Sequence, residues 1–66
     1  MKCEWYHVWN ASPNKWITRE ELIRRVSARY NKLTQVEECV NNMIDGGRTI
    51  KTKNIRGIIK YHWRLY

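Results

Sequence analysis

Thr18-Arg19-Glu20-Glu21-Leu22-Ile23-Arg24-Arg25-Val26-Ser27-Ala28-Arg29-Tyr30 is the stretch on which the fold turns. Thr18 and Glu21 have the spacing of a capping box, in which a hydroxyl and a carboxylate satisfy the free amides at a helix start. A helix over Thr18–Tyr30 follows. At 100° per residue, Leu22, Ile23, Val26 and Tyr30 share one face, and Arg24, Arg25, Ala28, Arg29 and Lys32 share the other. One side is built for a core and the other is a basic stripe.

Downstream, Thr34-Gln35-Val36-Glu37 repeats the capping-box spacing, and Val36, Cys39, Val40, Met43 and Ile44 follow at helical intervals up to Gly46-Gly47. A second helix over Thr34–Asp45 is predicted, with Thr34 as its cap and the glycines as its stop. Its outward residues Gln35, Glu38, Asn41, Asn42 and Asp45 are neutral to acidic. Residues 48–66 are rich in Thr, Ile, Tyr and Trp and carry a turn signal over Lys53–Gly57, so they read as a β-hairpin. In its returning strand Ile59, Tyr61, Trp63 and Leu65 alternate with Ile58, Lys60, His62 and Arg64, which predicts one packed and one solvated side. Upstream, Trp5, Val8 and Trp9 fit one helix face, while Cys3, Trp5, His7 and Trp9 also fit the alternation of a strand. A short helix there would supply the third surface that two helices and a hairpin need to close a core.

These elements occupy 66 residues, enough for a single domain over 1–66. A chain of this size buries about 60% of the surface its unfolded form exposes, which leaves little room for a built catalytic pocket. Thirteen Lys and Arg against six Asp and Glu give a net charge of +7, and the sequence pI is about 9.9. The hydrophobic fraction of 42%, with four Trp and four Tyr, is too high for a disordered basic tail. The composition describes a folded basic module whose natural ligands are polyanions.

The charge is unevenly placed. Residues 15–30 carry Lys15, Arg19, Arg24, Arg25 and Arg29 against Glu20 and Glu21, while residues 46–66 carry Arg48, Lys51, Lys53, Arg56, Lys60 and Arg64 with no carboxylate at all. Residues 31–45 set Lys32 against Glu37, Glu38 and Asp45.

Helix, capped helix, capped helix and basic hairpin is the element order of the winged helix-turn-helix superfamily, which this chain resembles. Trp16-Ile17-Thr18-Arg19-Glu20-Glu21-Leu22 is like its short strand and second helix, Thr34–Ile44 like its third helix, and Arg48–Trp63 like its wing. Within it, Tyr6-x-Val8-Trp9 followed by Trp16-Ile17-Thr18 is similar to small enterobacterial activators of the carnitine-operon and virulence-locus type. The resemblance implies an α+β fold of three helices and a C-terminal wing, duplex DNA as partner, and transcriptional or replication control as role. In that superfamily a helix enters the major groove and the wing lies on phosphates or in the minor groove.

Carboxylates near phosphates are repelled, so the acidic face of the second capped helix directs phosphate contact elsewhere. Arg24, Arg25, Arg29 and Lys32, with the hairpin residues Lys51, Lys53, Arg56 and Lys60, are the expected phosphate contacts. Gln35 and Asn42 are the candidate readers of base edges. Dimerisation or cooperative binding is expected of so small a module, with Trp63 and the Leu65-Tyr66 edge as the candidate surface of a homodimer. The alternatives are a phage- or plasmid-type module that docks on an acidic host protein, and an RNA-binding module.

Other constellations are weaker. Cys3, His7, Cys39 and His62 would make a Cys2His2 zinc set, but their spacing fits no compact finger, and no metal or cofactor is expected. Cys39 lies on an apolar helix face and reads as core. Trp5, Trp9, Trp16 and Trp63 also read as core rings. No nucleophile and base are spaced for catalysis around His7 or His62, and Gly46-Gly47 lacks the Gly-x-x-x-x-Gly-Lys pattern, so an enzyme is not expected. Residues 1–10 contain no apolar signal run, and no stretch approaches 18 apolar residues. A cytoplasmic protein without a membrane segment is the resulting expectation.

Overall fold

A computed structural model describes residues 1–46 and 50–64. Its elements are α1 (Trp5–Ala11), α2 (Arg19–Arg29), α3 (Val36–Gly46), β1 (Lys51–Ile55) and β2 (Ile58–His62). The domain is α+β, with three helices followed by an antiparallel hairpin, the layout anticipated for a winged helix-turn-helix.

α2 starts where its cap places it. The Thr18 hydroxyl accepts from the Glu21 amide at 3.2 Å. The Glu21 carboxylate lies 4.0 Å from Arg25 Nε, one turn along the helix. Leu22 and Val26 are fully buried, and Ile23 and Tyr30 pack against them.

α3 begins differently from the sequence expectation. Thr34 does not cap it. The Thr34 backbone is recruited by the N-terminal segment, donating to the Met1 carbonyl at 2.8 Å and accepting from the Cys3 amide at 2.9 Å. Lys2 and Thr34 thus form a parallel bridge. The helix starts one residue later. Gln35 takes the left-handed conformation at φ 59°, and its carbonyl accepts the first helical bond, from Cys39 at 3.0 Å. The tertiary pairing of Thr34 outweighs the local capping pattern.

α1 is the short helix that core closure demands. Val8 is buried on it, and the His7 Nδ1 accepts from the Glu4 amide at 2.9 Å to satisfy its first turn. Trp5 departs from the expected core face and is 63% exposed. Ser12 and the carbonyls at the far end of α1 are held by arginines. Arg64 donates to Ser12 O at 2.9 Å and to Trp9 O at 2.8 Å, and Arg29 donates to Asn10 O at 3.2 Å. These cations satisfy acceptors that a helix C-terminus leaves free.

The hairpin turns through two residues. Ile55 and Ile58 are partners in register, with Arg56 at φ 52° and Gly57 at φ 84° between them. Two successive positive φ values define the turn type whose twist matches paired strands, and Gly57 is the residue that adopts it freely. Asn54 Oδ1 accepts from the Gly57 amide at 2.9 Å. The turn is therefore tighter than a Lys53–Gly57 signal implies.

Period-two burial fails along β2. Ile58 and Ile59, on opposite sides, are both exposed, while His62 and Trp63 are both buried. The hairpin is rooted at its base and stands away from the helices at its tip, so burial varies along its length rather than between its faces. The root is Ile17, which exchanges backbone bonds of 3.0 and 2.8 Å with Tyr61. Cys3, Val8, Ile17, Leu22, Val26, Val36, Val40 and Trp63 form the core. Because Trp63 is 1% exposed, it is unavailable as a dimer edge. Leu65, Tyr66, Gly47 and Arg48 lie outside the described residues.

Candidate nucleic-acid interface

Strand register sets which cations meet. Lys53 and Lys60 are direct partners across the hairpin, and Lys51 is opposite His62. Alternation puts Lys51, Lys53 and Lys60 on one side, with the Ile55–Ile58 pair ahead of them toward the tip. Arg56 is exposed in the turn itself. Two lysines directly opposed disfavour the hairpin in isolation, and an anion between them would relieve that cost. Lys53 Nζ is 4.4 Å from the centre of the Trp16 ring, which also meets His62 edge-on at 5.4 Å between centroids. Trp16 was expected in the core. It is instead a half-buried buttress that positions a lysine of the hairpin.

The α2 stripe is less uniform than its spacing suggests. Arg24 is exposed. Arg25 leans on Glu21 at 4.0 Å. Arg29 is committed at one end to Asn10 O and lies 5.6 Å from the Tyr30 ring centre. Lys32 is exposed in the connection after α2. Arg19, which the sequence reading did not single out, ties α2 to α3. It donates to Asn41 Oδ1 at 3.0 Å and pairs with Glu37 at 3.5 Å and Glu20 at 3.3 Å.

Gln35 and Asn42 are exposed, but their surroundings differ from those of the hairpin lysines. Both line a groove of about 880 Å³ between α1 and α3, together with Trp5, Tyr6, Cys39 and Met43. Glu38 lines it as well. Cys3 also lines it while remaining buried, and burial, then the adjacent Cys39, push its thiol from 9.0 up to about 12. Among the described residues no three His, Cys, Asp or Glu side chains gather to hold a metal. His7 and His62 each accept a backbone amide through Nδ1, from Glu4 and Arg64. No helix among the described residues is long and apolar enough to cross a membrane.

The structure thus collects Lys51, Lys53 and Lys60 on one hairpin side with Arg56 at the tip. It leaves Gln35 and Asn42 in a separate groove. Arg64, read as a solvent-facing cation of the hairpin, is a clamp on α1, a role that no local pattern announces because its partners lie more than 50 residues away. The isoleucines that flank the turn were the other unread feature. Their signal is Ile55-Arg56-Gly57-Ile58, an arginine-glycine turn bracketed by two apolar residues. Comparison with protein-family models, curated proteins and solved structures gives no match.

Proposed function

We propose that this chain is a small winged-helix regulator that binds duplex DNA, with the hairpin as its main phosphate grip. The observation that carries this reading is the carboxylate-free hairpin, with Lys53 and Lys60 opposed in register and Lys51 on the same side. Opposed lysines disfavour the free hairpin and favour a bound polyanion, and a rail of cations spaced along a strand matches a phosphate backbone. Arg24, Arg25, Arg29 and Lys32 extend the contact from α2. Gln35, immediately before α3, is the side chain offered to base edges, while Glu38 and Asp45 keep the rest of that helix from phosphates. A module of this size covers roughly 600–1,000 Å² on DNA, so specific control calls for cooperative or dimeric binding.

Fluorescence anisotropy of a labelled duplex of about 25 bp, titrated between about 50 and 200 mM salt, tests the reading, since each phosphate contact contributes about 0.9 to the log–log slope. A slope for four or more contacts is expected. Arg25→Ala and Lys53→Ala should each weaken all sequences alike and lower the slope by about one. Absence of duplex binding at low salt would overturn the proposal.

The α1–α3 groove supports a second reading. Trp5 and Tyr6 are exposed there beside the acidic side of α3, and an exposed aromatic patch marks protein contact. A host protein that stays bound after nuclease treatment, with only weak and sequence-blind duplex affinity, would favour that reading. Competition by structured RNA would point to the RNA alternative.

A further inference from the structure

Two exposed surfaces of the described molecule lie apart from each other and are unlike in charge. The first is the groove between α1 and α3. Trp5 and Tyr6, 63% and 45% exposed, supply its α1 side, and Cys39 and Met43 supply its α3 side. Glu4 and Glu38 line it too, and among the described residues neither enters an ion pair. Lys2 is the one cation of its described lining, so the groove is net acidic in a chain of +7.

The second surface is the end of the hairpin. The Arg56-Gly57 turn is its apex. Behind the apex, Ile55 and Ile58 lie on one face and Ile59 on the other, 41%, 53% and 48% exposed. Both faces are therefore apolar and the apex is cationic, and no carboxylate follows Asp45 in the sequence. Single exposed apolar residues need no explanation, whereas a cluster marks a contact.

The two surfaces complement each other. A slot between two helices offers two apolar walls, and the hairpin end brings an apolar face to each. The Arg56 guanidinium is opposite in charge to the unpaired carboxylates of the slot, and this pairing is the strong, directional one. Among the described residues no part of the hairpin lines the groove of its own copy. The molecule measures 35 × 20 × 19 Å, and its hairpin is rooted at Ile17–Tyr61 and free at the far end, so the matching end comes from another molecule.

We infer that the hairpin end of one copy seats in the α1–α3 groove of a second copy, head to tail. Ile55 and Ile58 meet one wall, Ile59 meets the other, and Arg56 meets Glu38 and Glu4. Such a contact uses different surfaces on the two copies, so further copies add in a row unless the row closes on itself. Lys51, Lys53 and Lys60 lie along the strands behind the seated end and stay outside the groove. The assembly does not rest on the duplex reading. Where both hold, a row of copies supplies the cooperative binding that so small a module calls for.

The contact is small, so association belongs to the weak, concentration-dependent class. At low salt the net charge keeps copies apart, but at about 0.15 M the Debye length is about 8 Å, and only charges near contact still act strongly. Sedimentation velocity of the full chain at that salt, over a series up to about 1 mM, should show a mass rising above that of the monomer. R56E and E38R alter exposed positions, and circular dichroism melts check that each variant folds. Alone, each sets like charges at the contact and should weaken association by about tenfold or more. Mixed in equal amounts, they set opposite charges at every contact between unlike copies, and association should return to the wild-type level. The variant I55S/I58S, unchanged in charge, should stay monomeric. Monomer alone across the wild-type series would overturn the inference and leave the groove to a foreign protein. Association that survives these variants, or that mixing fails to restore, would overturn it by placing the interface elsewhere. Duplex binding is read separately by the salt titration, so failure of the assembly leaves the DNA reading standing.

Discussion

Gln35 holds the backbone against the preference of its side chain. A non-glycine residue at φ 59° crowds its Cβ against the chain, at a cost of roughly 1–2 kcal/mol. Glycine would remove that crowding and return part of the gain as unfolded-state entropy. Gln35→Gly should therefore raise stability by about 0.5 kcal/mol, which is about 2–4 °C in a domain of this size. The same variant removes the amide offered to base edges. A melting curve and a binding isotherm on one sample then separate its two roles, with stability rising as affinity for a selected site falls. Cys3 gives a second prediction at this scale. Its thiol is pushed up to about 12 by burial and by Cys39, so the folded state favours the protonated form. That contribution is complete below pH 9, where the unfolded thiol is also protonated, and is lost as pH rises from 9 toward 12. Melting temperatures taken between pH 7 and 10.5 should fall above pH 9, and Cys3→Ser should flatten this alkaline decline.

Among the elements, α1 depends most on distant residues. Its seven residues are too few to be stable alone, and its last carbonyls are held by Arg64 and Arg29. Arg64→Met keeps the stem but deletes two charge-assisted bonds, and a loss of about 2 kcal/mol is expected. In hydrogen exchange the α1 amides should lose protection before those of α2 and α3. Equal loss in all three helices would instead assign Arg64 to global stability. The elements also differ in how far their sequence declares them. α2 is legible because Thr18, its cap and its apolar stripe all act locally. The start of α3 is not, because Thr34 has a better partner in Met1–Cys3 than in its own helix, and local patterns do not encode a pairing across more than 30 residues. Burial along β2 was misjudged for a geometric reason. Alternation assumes a sheet lying flat on a core, whereas this hairpin is held at Tyr61–Trp63 and free at Ile58 and Ile59. For the site, segment charge is a matter of counting and can be read directly. Which lysines meet is set by the Arg56-Gly57 turn, and a turn placed even one residue away would separate Lys53 from Lys60.

At the scale of the whole molecule, charge works against folding and for binding, and salt should separate the two. A net charge of +7 is confined within a radius of gyration of 11.2 Å and a longest extent of 35 Å. The Debye length is about 30 Å at 0.01 M salt and about 10 Å at 0.1 M. At the lower concentration the hairpin cations repel those of α2 across the molecule, and at the higher one they are largely screened. Added salt should therefore raise the melting temperature of the free protein between about 10 and 200 mM. The attraction to phosphates is screened over the same range, so duplex affinity should fall while stability rises. Stabilising ion pairs would give the opposite sign for folding, but the Arg19 pairs with Glu20 and Glu37 have exposed carboxylates, the Arg25–Glu21 contact is long at 4.0 Å, and such pairs contribute little. The double variant K53A/K60A removes the opposed charges. It should melt higher than the wild type at 10 mM salt, lose most of that advantage at 200 mM, and bind duplex more weakly at both. A melting temperature that drops with salt in the wild type would mean that local pairing, not net repulsion, governs this fold. The opposed lysines would then carry no folding cost for a polyanion to relieve.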